Sequence, residues 1–156
     1  MTIECSCNRC KSACTNKPGW FKPEEILKVA ELLNLSEQEL FDIYLGVDWW
    51  EAGYCGGRSV ENDIFLLAPA ITKMTPGSEY PGDPHGACIF YKEGKCGIHE
   101  VKPFECKSYF HGSRPEEISA TRVDIVRSWE SEQAKIVELL GREPETSEYQ
   151  VFNKLY

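Results

Sequence analysis

The sequence lacks the apolar segments that mark membrane and exported proteins. No apolar run approaches the roughly 18 residues that a membrane-spanning helix needs. The segment Met1–Lys17 has neither the apolar core nor the small-residue cleavage pattern of a secretory signal. We therefore expect a cytoplasmic protein without a membrane partner, in a compartment where thiols are kept reduced.

Positively charged residues are also fewer than negatively charged ones. The chain has 17 Lys and Arg residues against 25 Asp and Glu residues, which gives a formal net charge of −8, and its cations form no run. An acidic protein is repelled by nucleic acid and by anionic lipid surfaces. The composition therefore argues against nucleic acid or a membrane surface as a partner.

Familiar catalytic motifs are absent as well. The sequence contains no His-Glu-x-x-His zinc motif, no glycine-rich phosphate loop and no recognisable pair of nucleophile and base. Any catalytic activity must therefore depend on a bound metal. The sequence leaves open whether the protein is an enzyme.

Cysteine is the residue type whose pattern is informative. The eight cysteines are too few for the roughly 8–10% cysteine content of a secreted disulfide scaffold, and seven of them fall into two groups. The first group comprises Cys5, Cys7, Cys10 and Cys14, and the second comprises Cys88, Cys96 and Cys106. Cysteines kept only as small apolar core residues would have no reason to bunch. In a reducing compartment the grouping therefore indicates metal binding or catalysis, with disulfides and buried free thiols as the alternatives.

The spacing of these cysteines suits a metal centre. Thiolates bind zinc strongly, and zinc takes four ligands in a tetrahedron. The pair Cys7-x-x-Cys10 lets two sulfurs reach one ion from a single turn, and a distant segment can then complete the coordination sphere. We therefore predict that all seven grouped cysteines bind zinc or an iron–sulfur cluster, and that the metal joins the N-terminal group to the Cys88–Cys106 region.

Other residues near the two groups are open candidates. The additional potential ligands are Cys55, His85, His99 and His111. Lys102 is interpreted as charge compensation for the thiolates. These donors exceed the needs of one zinc ion, so the sequence leaves open the identity and the number of the metal ions.

Two motifs carry a resemblance to a known family. The first is Cys7-Asn8-Arg9-Cys10-Lys11-Ser12-Ala13-Cys14, followed by Pro23-Glu24-Glu25 and Leu35-Ser36. The second is Cys88-Ile89-Phe90-Tyr91, followed by Cys96-Gly97-Ile98-His99-Glu100-Val101-Lys102-Pro103-Phe104-Glu105-Cys106. Over about residues 5–110 the chain resembles the zinc- or iron-chelating proteins with a cysteine-cluster signature of the Cys-x-x-Cys-x-x-Cys-Cys type, sometimes labelled iron–sulfur oxidoreductases.

The chain departs from the family pattern at two positions. Ala13 stands where the first of two paired cysteines usually lies, and Cys5 is an additional cysteine close enough to replace it. Lys102 replaces the usual Arg, which keeps the positive charge but loses the bidentate fork. The resemblance implies metal binding. It implies little about a reaction, although the family includes relatives that look like iron–sulfur methylases of flagellin lysines.

Hydrophobic periodicity predicts a mainly α fold with one small β-hairpin. The predicted elements are a helix from Pro23 to about Asn34, a helix from Ser36 to Gly46, a hairpin over 88–99, a turn or short helix from Pro103, and a long helix from Pro115 to Gly141. The apolar run 64–68 is either a strand or a buried helical turn. We expect residues 1–156 to form one compact domain that the metal holds together.

Three functional hypotheses follow from these patterns. The first is a metal-binding protein whose centre is chiefly structural or serves in metal handling. The second is an iron–sulfur enzyme that carries out redox or group-transfer chemistry of the methylase kind. The third is a protein-interaction module that docks through the aromatic residues Trp49, Trp50 and Tyr54, for which packing in the core is the favoured interpretation.

Overall fold

The computed structural model describes residues 12–51, 53–55, 58–60, 63–108 and 114–146. Side chains are described for these residues except 12–13, 53–55, 58–60 and 108. Three predicted ligands, Cys5, Cys7 and Cys10, lie outside the described residues, as does the open candidate His111. None of the helices in the described part of the chain is both long enough and apolar enough to cross a membrane.

Helices hold more of the described residues than strands do. The α-helices are α1 (Ser12–Thr15), α2 (Glu25–Leu33), α3 (Glu37–Tyr44), α4 (Phe104–Ser108), α5 (Pro115–Trp129) and α6 (Gln133–Leu140). Short 3₁₀ turns span His99–Val101 and Glu130–Glu132. The strands are β1 (Leu45–Trp50), β2 (Gly53–Cys55), β3 (Arg58–Val60), β4 (Ile64–Pro69), β5 (Ser78–Glu79), β6 (Tyr91–Lys92) and β7 (Lys95–Cys96).

A three-stranded sheet of order β4-β1-β5 lies at the centre of the fold. β1 and β4 pair antiparallel over their full lengths, from Leu45 opposite Pro69 to Trp50 opposite Ile64. β5 runs parallel to β1, with Gly46 opposite Ser78. The prediction of a mainly α fold with one hairpin is therefore confirmed only in part, because it missed this sheet and the fold is mixed α and β.

The two helices predicted between Pro23 and Gly46 are both present. Ser36 caps α3 with a capping box, in which its hydroxyl accepts from the Glu39 N–H at 3.1 Å and the Glu39 carboxylate accepts from the Ser36 N–H at 3.1 Å. α3 ends at Tyr44, before Gly46, because the chain turns directly into β1. Asn34, at the left-handed φ of 56°, ends α2.

The long helix predicted from Pro115 to Gly141 is interrupted. It begins at Pro115 and ends with Gly141 in the left-handed conformation, as expected, but the 3₁₀ turn divides it into α5 and α6. Gln133 accounts for the break physically, because its side chain bonds both the N–H and the C=O of Phe65 and also the Trp129 carbonyl, at 2.8–2.9 Å. That contact fixes the start of α6 against β4.

One cluster of buried apolar residues connects these elements. Members from α2, α3, β1, β4, α5 and α6 all contribute to it, including Ile26, Phe41, Val47, Leu66, Trp129 and Ile136. The Trp129 indole N–H donates to the Phe21 carbonyl at 2.7 Å, so this large side chain is buried without an unsatisfied polar atom. The core thus fixes the N-terminal segment around Phe21 against the helices that close the fold.

The aromatic residues after α3 differ in how deeply they are buried. Trp49 is 2% exposed and belongs to the core cluster, whereas Trp50 is partly buried and meets Trp20 edge to face at 6.1 Å. The side chain of Tyr54 is outside the description. Core packing is therefore the role of Trp49, which is not accessible for docking.

Candidate metal centre

The end of α1 and the residue that follows it run beside the segment that leads into the hairpin. The Cys88 N–H donates to the Cys14 carbonyl at 2.8 Å, and the Gly86 N–H donates to the Asn16 carbonyl at 2.5 Å. On its other side, Cys88 forms an antiparallel bridge with Ile71, just after β4. The fold therefore brings the last cysteine of the N-terminal group next to the first cysteine of the later group.

The same N-terminal segment also contacts the helix that carries Cys106. A Cβ atom added to Gly19 would lie 2.9 Å from Cys106 Sγ and 2.8 Å from Glu105 Cβ, closer than a real side chain could approach. The Gly19 N–H lowers the pKa of the Cys106 thiol. Only glycine at this position allows α4 to pack so tightly that its sulfur touches the backbone.

Cys88 and Cys96 belong to one hairpin. β6 and β7 pair antiparallel, with Tyr91 opposite Cys96, and Cys88 lies just before β6. The turn places Glu93 and Gly94 at positive φ (53° and 76°), a combination typical of tight hairpin turns. The predicted hairpin is thus confirmed, although each of its strands has only two residues.

Burial has the largest effect on the pKa values of these cysteine thiols. Burial, together with the nearby sulfurs of Cys96 and Cys14, raises the pKa of the Cys88 thiol to about 12. Burial also raises the pKa of Cys106 well above its usual range, with Cys88, Glu105 and Cys14 acting in the same direction. In the absence of a cation both thiols are therefore protonated at neutral pH.

Backbone amides oppose this effect at three of the sulfurs. The backbone N–H groups of Phe90 and Tyr91 lower the pKa of Cys88, and the N–H of Ile98 lowers the pKa of Cys96. Gly19 supplies the corresponding amide to Cys106, as described above. Hydrogen bonds of this kind favour the thiolate over the thiol and so lower the pKa. A buried sulfur that faces amide donors is well suited to a bound cation, which would also remove the cost of burying its charge.

The other candidate residues are placed as follows. Burial raises the pKa of Cys96, and the positive charge of Lys102 lowers it, as charge compensation requires. His85 lies beside Asp83, with 2.8 Å between Nδ1 and Oδ1, and His99 is exposed at the start of a 3₁₀ turn. Cys55 ends β2, and its side chain is outside the description.

The described cysteines do not form a closed ligand cage. None of Cys14, Cys88, Cys96 and Cys106 forms a disulfide. Among the residues that the structure describes, no three His, Cys, Asp or Glu side chains are grouped closely enough to hold a metal ion. The backbones of these cysteines thus converge, whereas their sulfurs are not arranged around a common point.

A buried polar network borders the cysteines and was not anticipated from the sequence. Asp48, with 0% exposure, accepts from the Trp20 indole N–H at 2.8 Å, and its carboxylate lies 3.4 Å from the Lys17 ammonium. Arg122 donates to Glu105 at 2.6 Å, and its guanidinium lies 4.5 Å from the centre of the Trp20 ring. No periodicity predicts these contacts, because the partners come from segments far apart in the chain.

Comparison with protein-family models, with curated proteins and with solved structures finds no match to this chain. The resemblance to the cysteine-cluster family therefore stays a prediction. Functional inference depends on the geometry of the site itself.

Proposed function

We propose that this protein binds zinc or an iron–sulfur cluster through cysteines of both groups, and that the metal holds the N-terminal segment against the hairpin and α4. The observation that carries the proposal is the hydrogen bond from the Cys88 N–H to the Cys14 carbonyl. It joins two cysteine-bearing segments that are remote in sequence. The contact of Gly19 with Cys106 adds a third segment to the same region.

The donor set fits such a centre. Cys14, Cys88, Cys96 and Cys106 would supply four sulfurs, which is the number that a structural zinc ion takes. Thiolates also bind iron in iron–sulfur clusters, and amide hydrogen bonds to the sulfurs are a usual feature of both kinds of site. A bound cation would supply the positive charge that these buried sulfurs need in order to be thiolates.

Completion of the site requires more than the described arrangement. Either side-chain rotations bring the four sulfurs together, or Cys5, Cys7 and Cys10, which lie outside the described residues, provide ligands. In both cases the metal couples binding to folding, because ligands from distant segments meet only in the folded chain. A reducing cytoplasm belongs to the proposal, since it keeps these thiols available.

The test is elemental analysis of protein purified without oxygen, together with its absorption spectrum. The proposal expects a stoichiometric metal, either zinc in a colourless protein or iron in a brown one. Cys88→Ser and Cys106→Ser are each expected to lower the metal content. The control is Lys28→Ala, at an exposed position, which should keep the metal content of wild type. Metal-free wild-type protein, whose melting temperature is also unaffected by a chelator, would refute the proposal.

A further inference from the structure

A carboxylate from α2 holds the start of the helix that carries Cys106. Glu25 is the first residue of α2, and its side chain is only 8% exposed. Its Oε1 accepts from the N–H of Phe104, the first residue of α4, at 2.9 Å. Its Oε2 lies 3.3 Å from the ammonium of Lys107, which is on the same short helix. One carboxylate thus binds α4 at two points.

Glu25 is itself held in place by the segment before it. Its Oε1 also accepts from the Lys22 N–H at 2.7 Å, and the Lys22 ammonium lies 3.9 Å from the centre of the Phe104 ring. A buried carboxylate is stable only when its oxygens have donors, and here both oxygens have them. The carboxylate therefore has one orientation, which fixes where α4 begins.

A second set of contacts holds the other side of α4. Glu105 accepts from the Trp20 N–H at 3.1 Å and from Arg122 Nε at 2.6 Å. The Glu105 N–H in turn donates to the Trp20 carbonyl at 3.3 Å. Between these contacts Cys106 Sγ lies against Gly19, where there is no room for even one added carbon. A small displacement of α4 would therefore change the position of the Cys106 sulfur and its contact with Gly19.

We propose that Glu25 is a positioning residue of the metal centre: it fixes α4, and with it Cys106, against the N-terminal segment, and so slows metal release. The inference rests on the proposed function. Glu25 itself is not a ligand in this scheme, and it acts only through Cys106. Groups that orient metal ligands commonly change metal affinity by 10- to 100-fold when they are altered.

The experiment compares wild-type protein with Glu25→Ala, Glu25→Gln and the control Glu24→Gln. Glu24 is the exposed neighbour, and its side chain makes no capping bond with α2. Each protein is loaded with zinc, and the rate of transfer to a chromogenic chelator is measured well below the melting temperature. Cobalt-loaded samples give an absorption spectrum that reports the geometry of the sulfur ligands.

We expect Glu25→Ala to release zinc about 10-fold faster or more, and to alter the cobalt spectrum. Glu25→Gln should show an intermediate rate, because its amide oxygen still accepts from Phe104 while the attraction to Lys107 is lost. Glu24→Gln should match wild type. A purely structural role would lower the melting temperature of the Glu25 variants and leave the cobalt spectrum unchanged.

The outcomes separate this inference from the proposed function. Wild-type protein that holds metal, with both Glu25 variants equal to it in release rate and spectrum, would overturn the inference alone. Wild-type protein that holds no metal would overturn both. Should Glu25→Ala fail to fold, the comparison of Glu25→Gln with Glu24→Gln decides the matter by the same two measurements.

Discussion

The central sheet and the cysteine-bearing region differ in what holds them together. β1 and β4 share six backbone pairs, and side chains on both faces, such as Val47 and Leu66, have no exposure to solvent. The cysteine-bearing region, which comprises residues 14–20 and 86–108, contains strands of only two residues and is joined by individual hydrogen bonds and buried carboxylates.

The two regions therefore differ in what stabilises them. Burial of apolar surface in a regular ladder stabilises the sheet without any ligand. The cysteine-bearing region also contributes Trp20, Phe90 and Ile98 to the apolar core, but in addition it buries sulfurs that are poorly solvated as thiolates. Under the proposed function, the metal adds to the stability that apolar packing supplies there.

The largest expected effect is that of metal removal. Binding of structural zinc is worth on the order of 10–16 kcal/mol in small peptides, so its loss should loosen the whole cysteine-bearing region. Hydrogen exchange with and without a chelator should show faster exchange at Cys88 and along α4, while β1 and β4 keep their protection. Equal acceleration in both regions would remove the distinction between them.

The second effect concerns the chemistry of Cys88 in the metal-free protein. A pKa of about 12, against the ordinary 9.0, leaves roughly a thousandfold less thiolate at neutral pH than in the unfolded chain. Alkylation of Cys88, followed by peptide mass spectrometry, should therefore be slower in folded than in denatured protein. Its rate should rise about tenfold for each pH unit until the pH approaches 12. A pH-independent rate would contradict the assignment of burial as the cause.

The third effect tests the sheet by itself. Leu66→Ala removes a fully buried side chain from β4 and should lower the free energy of unfolding by about 2–5 kcal/mol in urea denaturation. Leu27→Ala is the control, because Leu27 is 53% exposed on α2 and its loss should change stability by less than about 0.5 kcal/mol. The folded fraction of Leu66→Ala should still bind metal as wild type does. A loss of metal in proportion to stability would show that the two regions are not separable.

The smallest of these effects on stability is expected at Gly19. Gly19→Ala introduces a carbon into the 2.9 Å contact with Cys106 Sγ, and overpacking of this kind costs about 1–3 kcal/mol. Because the displaced atom is a predicted ligand, metal release should accelerate more than stability falls. Gly97→Ala is the comparison variant, since its added carbon would meet only the Phe90 carbonyl at 3.3 Å. Equal metal release from the two variants would argue against a special role for Gly19.

Local signals in the sequence were sufficient for part of the fold. The capping box at Ser36, the proline that begins α5 and the glycine that follows α6 all depend on residues within one or two turns. The short hairpin likewise follows from residues close together in the chain. These elements were predictable because their determining contacts are local.

The remaining features depend on contacts between distant residues. β1 contains Gly46 and Asp48, which are poor strand formers, and it becomes a strand because it pairs with β4. The break between α5 and α6 likewise reflects the docking of Gln133 on β4. At the candidate site, the predicted ligands follow from cysteine spacing and stay a prediction, whereas the roles proposed for Gly19 and Glu25 could be recognised only once α4 was placed against them.

The most direct measurement is thiol footprinting of the native protein, in which mass spectrometry records both the bound metal and the cysteines that resist alkylation. We predict a metal-dependent protected set that includes Cys14 and Cys96, one cysteine from each group that is only partly buried in the fold, and the release of both when a chelator is added. Protection confined to cysteines of one group, or a native mass without any metal, would contradict this prediction.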